Sequence, residues 1–350
     1  MRRKASLIPM FLLLLPLLLS GVTLDVDAQI TPTRSVAASV PSLAGIVKRV
    51  GGSIYNATVL LEQETDPHAF SVTPRTIAIA DAADLLVLTG HFAWEEELAN
   101  LTSTPFITFH DANALENYED FGAAYSPMPG GGTGNDAQGN PHGFWLLPKN
   151  ALAVANATRA ALTTLNASLS SELTSNFDAF VESIDGLQGL IDTVDDQNGF
   201  SDMQAVVVAP AEAYVAEAFG ITSVAVLQIE ELTISSQKLL EVGNAIKNGS
   251  IQLIIGSDVA QLEAGGEFAY QLQADYGGVL VWLKTVFFAE LDYISMMSYD
   301  LGALVSGLQG MPRNATNSVL NIGLMALAGV LGIVVTIESA LLIVRARAES

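Results

Sequence analysis

Four histidines, His68, His91, His110 and His142, and no cysteine at all set the chemistry open to this chain of 350 residues. A thiolate nucleophile, a cysteine-type zinc site, an iron–sulfur cluster and a lipid-modified N-terminal cysteine are excluded, which leaves imidazole, carboxylate and hydroxyl groups. The histidines are not scattered. His68 follows the apolar run ATVLLE (57–62) in TDPHAF, His91 follows ADLLVLTG (83–90), His110 closes PFITFH (105–110), and His142 leaves a Gly/Pro-rich loop over 122–142. If those runs are parallel strands, all four imidazoles stand on one rim, because open parallel sheets bind ligands outside the carboxyl ends of their strands.

The elements that must position them follow from hydrophobic periodicity. Helical spacing over Ser35–Arg49, ended by Gly51-Gly52, predicts a helix before the first strand, and WEEELANL (94–101) predicts another between the second and third. From Lys149 to Val194 only Gly186 and Gly189 interrupt a helical pattern, which predicts a long connecting helix with its weak point at Ser168–Glu172. A second alternation places strands at 205–210, 223–229, 251–256 and 279–283, with a last helix over Phe288–Leu308. Strand–helix alternation on both sides of one helix predicts an α/β fold of two parallel-sheet lobes. The expected division is an N-terminal lobe at 29–148, the connecting helix at 149–194, a C-terminal lobe at 195–310 and a polar spacer at 311–318. Half the residues are hydrophobic, enough for two ordinary cores. The net charge of −22 repels phosphate backbones, so nucleic acid is excluded as a partner. The same field is either a solubility device or a means of concentrating cations.

Both ends point to a membrane. Arg2, Arg3 and Lys4 precede an apolar run from Leu7 to Leu24, and Val26-Asp27-Ala28 offers small residues for cleavage; a secretion signal over 1–28 is expected, with an uncleaved anchor as the alternative. Residues 319–344 suffice for one transmembrane helix, and Arg345 and Arg347 behind it put the C-terminal tail (345–350) in the cytoplasm, leaving the rest of the mature chain outside the cell. Six sequons, beginning at Asn56, Asn100, Asn156, Asn166, Asn248 and Asn314, all fall in that outer portion, which marks a candidate glycoprotein.

The segment TDPHAFSVTPRTIAIADAADLLVLTG resembles the solute-binding proteins of zinc and manganese ABC importers, in its Asp66-Pro67-His68 loop, its Thr73-Pro74 helix start and its Ala83-Asp84 strand entry. NPHGFWLLPKNALAVANATRAALTTLN is similar to the family segment that carries a second metal histidine, and LDYISMMSYDLGALVSGL to its closing helix. The resemblance implies two α/β lobes joined by a rigid helix, a metal held between them, and His68 and His142 as two of its ligands. The family's remaining ligands fall on Ala209 and around Trp282–Lys284, where no carboxylate or imidazole stands. A zinc site wants about four ligands, so others must complete it. His91 and His110 are the expected substitutes, which would shift the site toward the first lobe; Glu212, Glu230 and Glu231 are the carboxylates the second lobe could offer. Asp66 is expected to fix the loop or the imidazole of His68.

The function implied is capture of a divalent ion, zinc with manganese as the other candidate, and delivery to an ABC permease in the membrane. Because only neutral imidazole coordinates, affinity should fall as pH drops through roughly 6.5. A relative that keeps the fold as a surface sensor, adhesin or scaffold is the alternative. Catalysis by a metal-activated water is set aside: no general base is visible beside the rim.

Overall fold

A computed structural model describes residues 34–61, 65–109, 120–130, 139–287 and 292–310. The expected signal segment, the expected transmembrane segment, the spacer and His110 lie outside the described residues. Among the described residues no helix is long and apolar enough to cross a membrane.

The first sheet is built from β1 (Arg34–Ala38), β2 (Tyr55–Val59), β3 (Leu85–Val87) and β4 (Phe106–Ile107), in the order β2-β1-β3-β4 with every pairing parallel. Strand β1 corrects the expectation of a single helix over Ser35–Arg49. The stretch instead divides: RSVAA is a strand paired on both sides, and the helix α1 (Pro41–Gly51) starts only at Pro41. Val36, Ala37 and Ala38 are wholly buried, so small and β-branched residues that fit a helical period also fill a strand covered on both faces. Proline at the first helical position fixes the boundary, since its missing N–H costs nothing there.

Helices α2 (Pro74–Asp81) and α3 (Ala93–Leu101) complete the first half. The connecting segment is two helices, α4 (Pro148–Leu165) and α5 (Ser170–Asn198). They meet at a short turn where the side chain of Asn166 accepts from Ser168 N–H, close to the weak point expected from the sequence. In α5 the buried residues are Leu173, Phe177, Phe180, Ile184, Leu187 and Ile191, an alternation of four and three that makes a narrow apolar seam along one side of the helix.

The second sheet contains β5 (Gln204–Val207), β6 (Thr222–Val226), β9 (Leu253–Ser257) and β10 (Val279–Leu283), all parallel, in the order β10-β9-β5-β6. Helices α6 (Glu212–Ala218), α7 (Ser236–Lys247), α8 (Ala264–Tyr276) and α9 (Tyr293–Gln309) pack around it. A small antiparallel hairpin of β7 (Gln228–Ile229) and β8 (Leu232–Thr233) interrupts the expected strand-to-helix path. One hydrophobic core runs from Val36 through α4 and α5 to Leu308. Two polar contacts tie α9 to the first half: Arg49 Nε lies 2.6 Å from Asp292, and the buried Tyr293 hydroxyl donates to Leu146 C=O at 2.7 Å. In each sheet the strand order reverses beside the strand that comes first in the chain, between β1 and β3 and between β5 and β9. Crevices at such reversals are where open sheets bind ligands.

Candidate metal centre

A cleft of about 670 Å³ is lined from the first half by Asp66, His68, His91 and His142, and from the second by Ala209, Gln228, Glu230, Glu263 and Thr285, among others. Three histidines reach it on three different loops, and the same local device holds each. Asp66 Oδ1 accepts His68 N–H at 2.9 Å, Thr89 Oγ1 accepts His91 N–H at 3.1 Å, and Asn140 Oδ1 accepts His142 N–H at 3.0 Å. A short polar side chain bonding the backbone two residues on is an Asx- or ST-turn, so each imidazole projects from a turn that its own sequence makes.

The loops are anchored from below. Trp94 Nε1 donates to Pro67 C=O at 3.0 Å, which pins the His68 turn to α3. The carboxylate of Glu95, 1% exposed, accepts from Thr89 N–H and Thr89 Oγ1, both at 2.8 Å, from Phe92 N–H at 3.1 Å, and from Ser39 Oγ. Burial pushes its acid strength down, raising its pKa against the pull of those donors. Glu95 thus ties the end of β1 to the loop that carries His91. It is absent from the site residues expected from the sequence; its only signal there is a glutamate three residues past a loop end, the capping-box spacing.

His142 is the most tightly specified. Asn140, fully buried, accepts from the His142 ring nitrogen Nδ1 at 3.1 Å and donates from Nδ2 to Pro210 C=O at 2.8 Å, while its own C=O accepts from the Tyr214 hydroxyl. An amide oxygen can only accept, so Nδ1 carries the proton and Nε2 keeps its lone pair, 3.7 Å from Glu230 Oε1. Ring centroids of His68 and His91 lie 5.0 Å apart, and those of His91 and His142 4.2 Å apart.

One ligand atom from each of His68, His91, His142 and Glu230 can be chosen so that all four lie within 4.8 Å of one another. Three imidazoles and a carboxylate converging from four loops is a donor set for a tetrahedral divalent ion. Of the carboxylates the sequence offers from the second half, Glu230 joins the histidines. Glu231 lines the cleft without joining the cluster. Glu212 is turned inward: it is fully buried and accepts Ala209 N–H at 2.8 Å. Asp66 holds the loop of His68 through its backbone.

Residues 36–307 match the family described as zinc-uptake complex component A, periplasmic. The chain belongs to the ZnuA family. A search of curated proteins returned no match. Among solved structures, a zinc-bound deletion mutant of ZnuA superposes with a TM-score of 0.64 at 18% identity, covering 80% of this chain and all of the other. The manganese-bound periplasmic metal-binding protein of Candidatus Liberibacter asiaticus gives 0.60 at 20% identity, covering 79% of this chain and 100% of that one. The nickel complex of FpvC from P. aeruginosa gives 0.61 at 18% identity over 79% of this chain and 97% of its own. At these identities the likeness is one of fold.

The pH at which His142 takes a proton also departs from the expected 6.5. Burial, with a smaller push from neighbouring His68, lowers its pKa to about 4. A buried histidine favoured in its neutral form stabilises the fold fully above pH 6.5, and that contribution is lost as pH falls toward 4. By linkage it amounts to about 3 kcal/mol. In the metal-free protein the His142 ring resonances should therefore titrate near pH 4, and an NMR midpoint near 6.5 would contradict this burial.

Proposed function

We propose that this chain captures a divalent transition-metal ion, zinc in the first place, outside the cell and hands it to an ABC permease. The observation that carries the reading is the convergence of His68, His91, His142 and Glu230 at the cleft between the two sheets. Membership of the ZnuA family supports it independently, and sets the chain among solute-binding proteins rather than enzymes. Four ligands of which three are imidazoles suit zinc; manganese favours more oxygen donors and a higher ligand count. The alternative of a scaffold that has lost its site draws its support from the empty family positions at Ala209 and Trp282–Lys284. Glu230 offers a carboxylate from the second half in their place and takes that support away.

The division into lobes at 29–148 and 195–310, bridged by 149–194, belongs to the same reading, supported by two separate four-stranded sheets. So does attachment to the membrane through residues 319–344 after removal of a signal at 1–28. Metal analysis and titration calorimetry on the full chain should find about one zinc per molecule, and no binding tighter than millimolar would end the proposal. Deleting residues 317–350 should release the protein into the medium; a truncated protein that still pellets with membranes after a high-salt wash would rule out the C-terminal anchor.

A further inference from the structure

Glu230 is the member of the cluster held in the least comfortable backbone conformation. It occupies the first position of the two-residue turn Glu230-Glu231, fixed by the pairing of Ile229 with Leu232, and its φ is +50°. Positive φ at that position of a hairpin turn is usually given to glycine, and a residue with a Cβ adopts it only under strain. An exposed glutamate in such a conformation needs something to hold it.

Gln228 supplies the hold. Its Nε2 donates to Glu230 C=O at 2.7 Å and to Glu263 Oε2 at 2.9 Å, while its Oε1 accepts Gly265 N–H at 2.6 Å, the second residue of α8. Both ends of one amide thus join the hairpin tip to the start of a helix. The space for this is kept by Gly265: a Cβ there would stand 3.0 Å from Gln228 Cβ and 3.1 Å from its Oε1.

We propose that Gln228 is the positioning residue that aims Glu230 at the three histidines, so that the turn presents a preformed carboxylate ligand instead of recruiting one on binding. The inference rests on the reading of the cluster as a zinc site. In the full chain Gln228→Met keeps the side-chain length and removes all three hydrogen bonds. Zinc affinity measured by chelator competition should fall about 10- to 100-fold, the usual effect of losing an outer partner of a ligand. The same substitution in a Glu230→Ala background should cause no further loss, because the ligand it aims is gone. Cobalt(II), used as a visible probe of coordination geometry, should give the same altered absorption in Gln228→Met as in Glu230→Ala. If Gln228→Met does not fold, Gln228→Glu paired with Glu263→Gln keeps the acceptor for Gly265 N–H and removes the amide donor to the turn without facing two carboxylates against each other, with the same loss expected. Unchanged affinity in Gln228→Met, where the wild-type protein binds zinc, or an equal loss with and without Glu230, would overturn the positioning role alone. A wild-type chain that binds no zinc would overturn the metal reading and this inference with it.

Discussion

Replacing His142 with alanine is expected to weaken zinc binding by roughly two to three orders of magnitude. Structural zinc sites are worth about 10–16 kcal/mol shared over four ligands, so one imidazole carries about 3 kcal/mol. His142 should carry its full share because its tautomer is chosen in advance: Asn140 has already fixed the proton on Nδ1. The fold should tolerate the change, since alanine keeps the N–H that Asn140 Oδ1 accepts. His68→Ala and His91→Ala should match it, whereas Asp66→Ala removes only the turn that orients His68 and should cost about 10- to 100-fold. Chelator-competition titration of the four variants checks the ranking. Affinity within threefold of wild type in both His68→Ala and His142→Ala would mean that the cluster does not hold the ion. His110→Ala belongs in the same series, because the sequence offers it as a substitute equal to His91.

Much of this site is legible in the amino-acid sequence, and the reasons are local. The rim placement of His68 and His91 follows from the apolar runs that precede them, since strand ends are where chemistry collects in parallel sheets. A stronger signal lies in the residues before the histidines: Asp66, Thr89 and Asn140 each stand two positions ahead of one, and the sequence repeats the spacing with Thr108 before His110. That is the spacing of a turn built by a short polar side chain, and it marks loops that fix their own shape. What is illegible is what depends on the partner across a gap. Ser35–Ala38 reads as helix because an alternation of small residues satisfies both periods; only pairing with β2 and β3 decides for strand. Glu230 has no local advantage over Glu231 or Glu212, because the hairpin that presents it depends on Gln228 reaching Gly265, thirty-seven residues away.

The position of Glu230 changes what lobe geometry means for binding. A site completed within the first half would hold its ion whatever the second half did. Here three imidazoles from one side face one carboxylate from the other, and Asn140 also crosses the cleft to Pro210. On the proposed reading, metal affinity is tied to the separation of the halves at two points, one a ligand and one the residue that orients a ligand.

The second large effect is on stability rather than binding, and it comes from acids that the site does not use. Asp300 is fully buried in α9; one oxygen accepts Lys284 N–H at 2.7 Å, and the other has no hydrogen-bond partner among the described residues. The ammonium that could neutralise it, Lys284 Nζ, instead lies 3.9 Å from Asp258, whose carboxylate also accepts Phe287 N–H at 3.0 Å. Burial first, with the nearby Asp258 charge adding to it, raises the pKa of Asp300 to about 8, and burial raises Glu212 to about 8 as well. Both folded values lie above the unfolded ones near 4, so the folded state holds protons that the unfolded state gives up, and stability must fall as pH rises from about 4 to 8. Each pKa unit is worth 1.36 kcal/mol, so the loss reaches several kcal/mol by pH 8. His142 works in the opposite sense between pH 4 and 6.5, so the decline should show most clearly above 6.5. Asp300→Asn keeps an acceptor for Lys284 N–H and cannot ionise; Glu212→Gln does the same for Ala209 N–H. Each should raise the melting temperature at pH 8, and the double variant should show a clearly shallower alkaline decline while matching wild type near pH 5. A wild-type melting temperature that stays level from pH 6.5 to 8, or a double variant that declines as steeply, would show that the carboxylates are already ionised in the folded protein and that water or a cation reaches them.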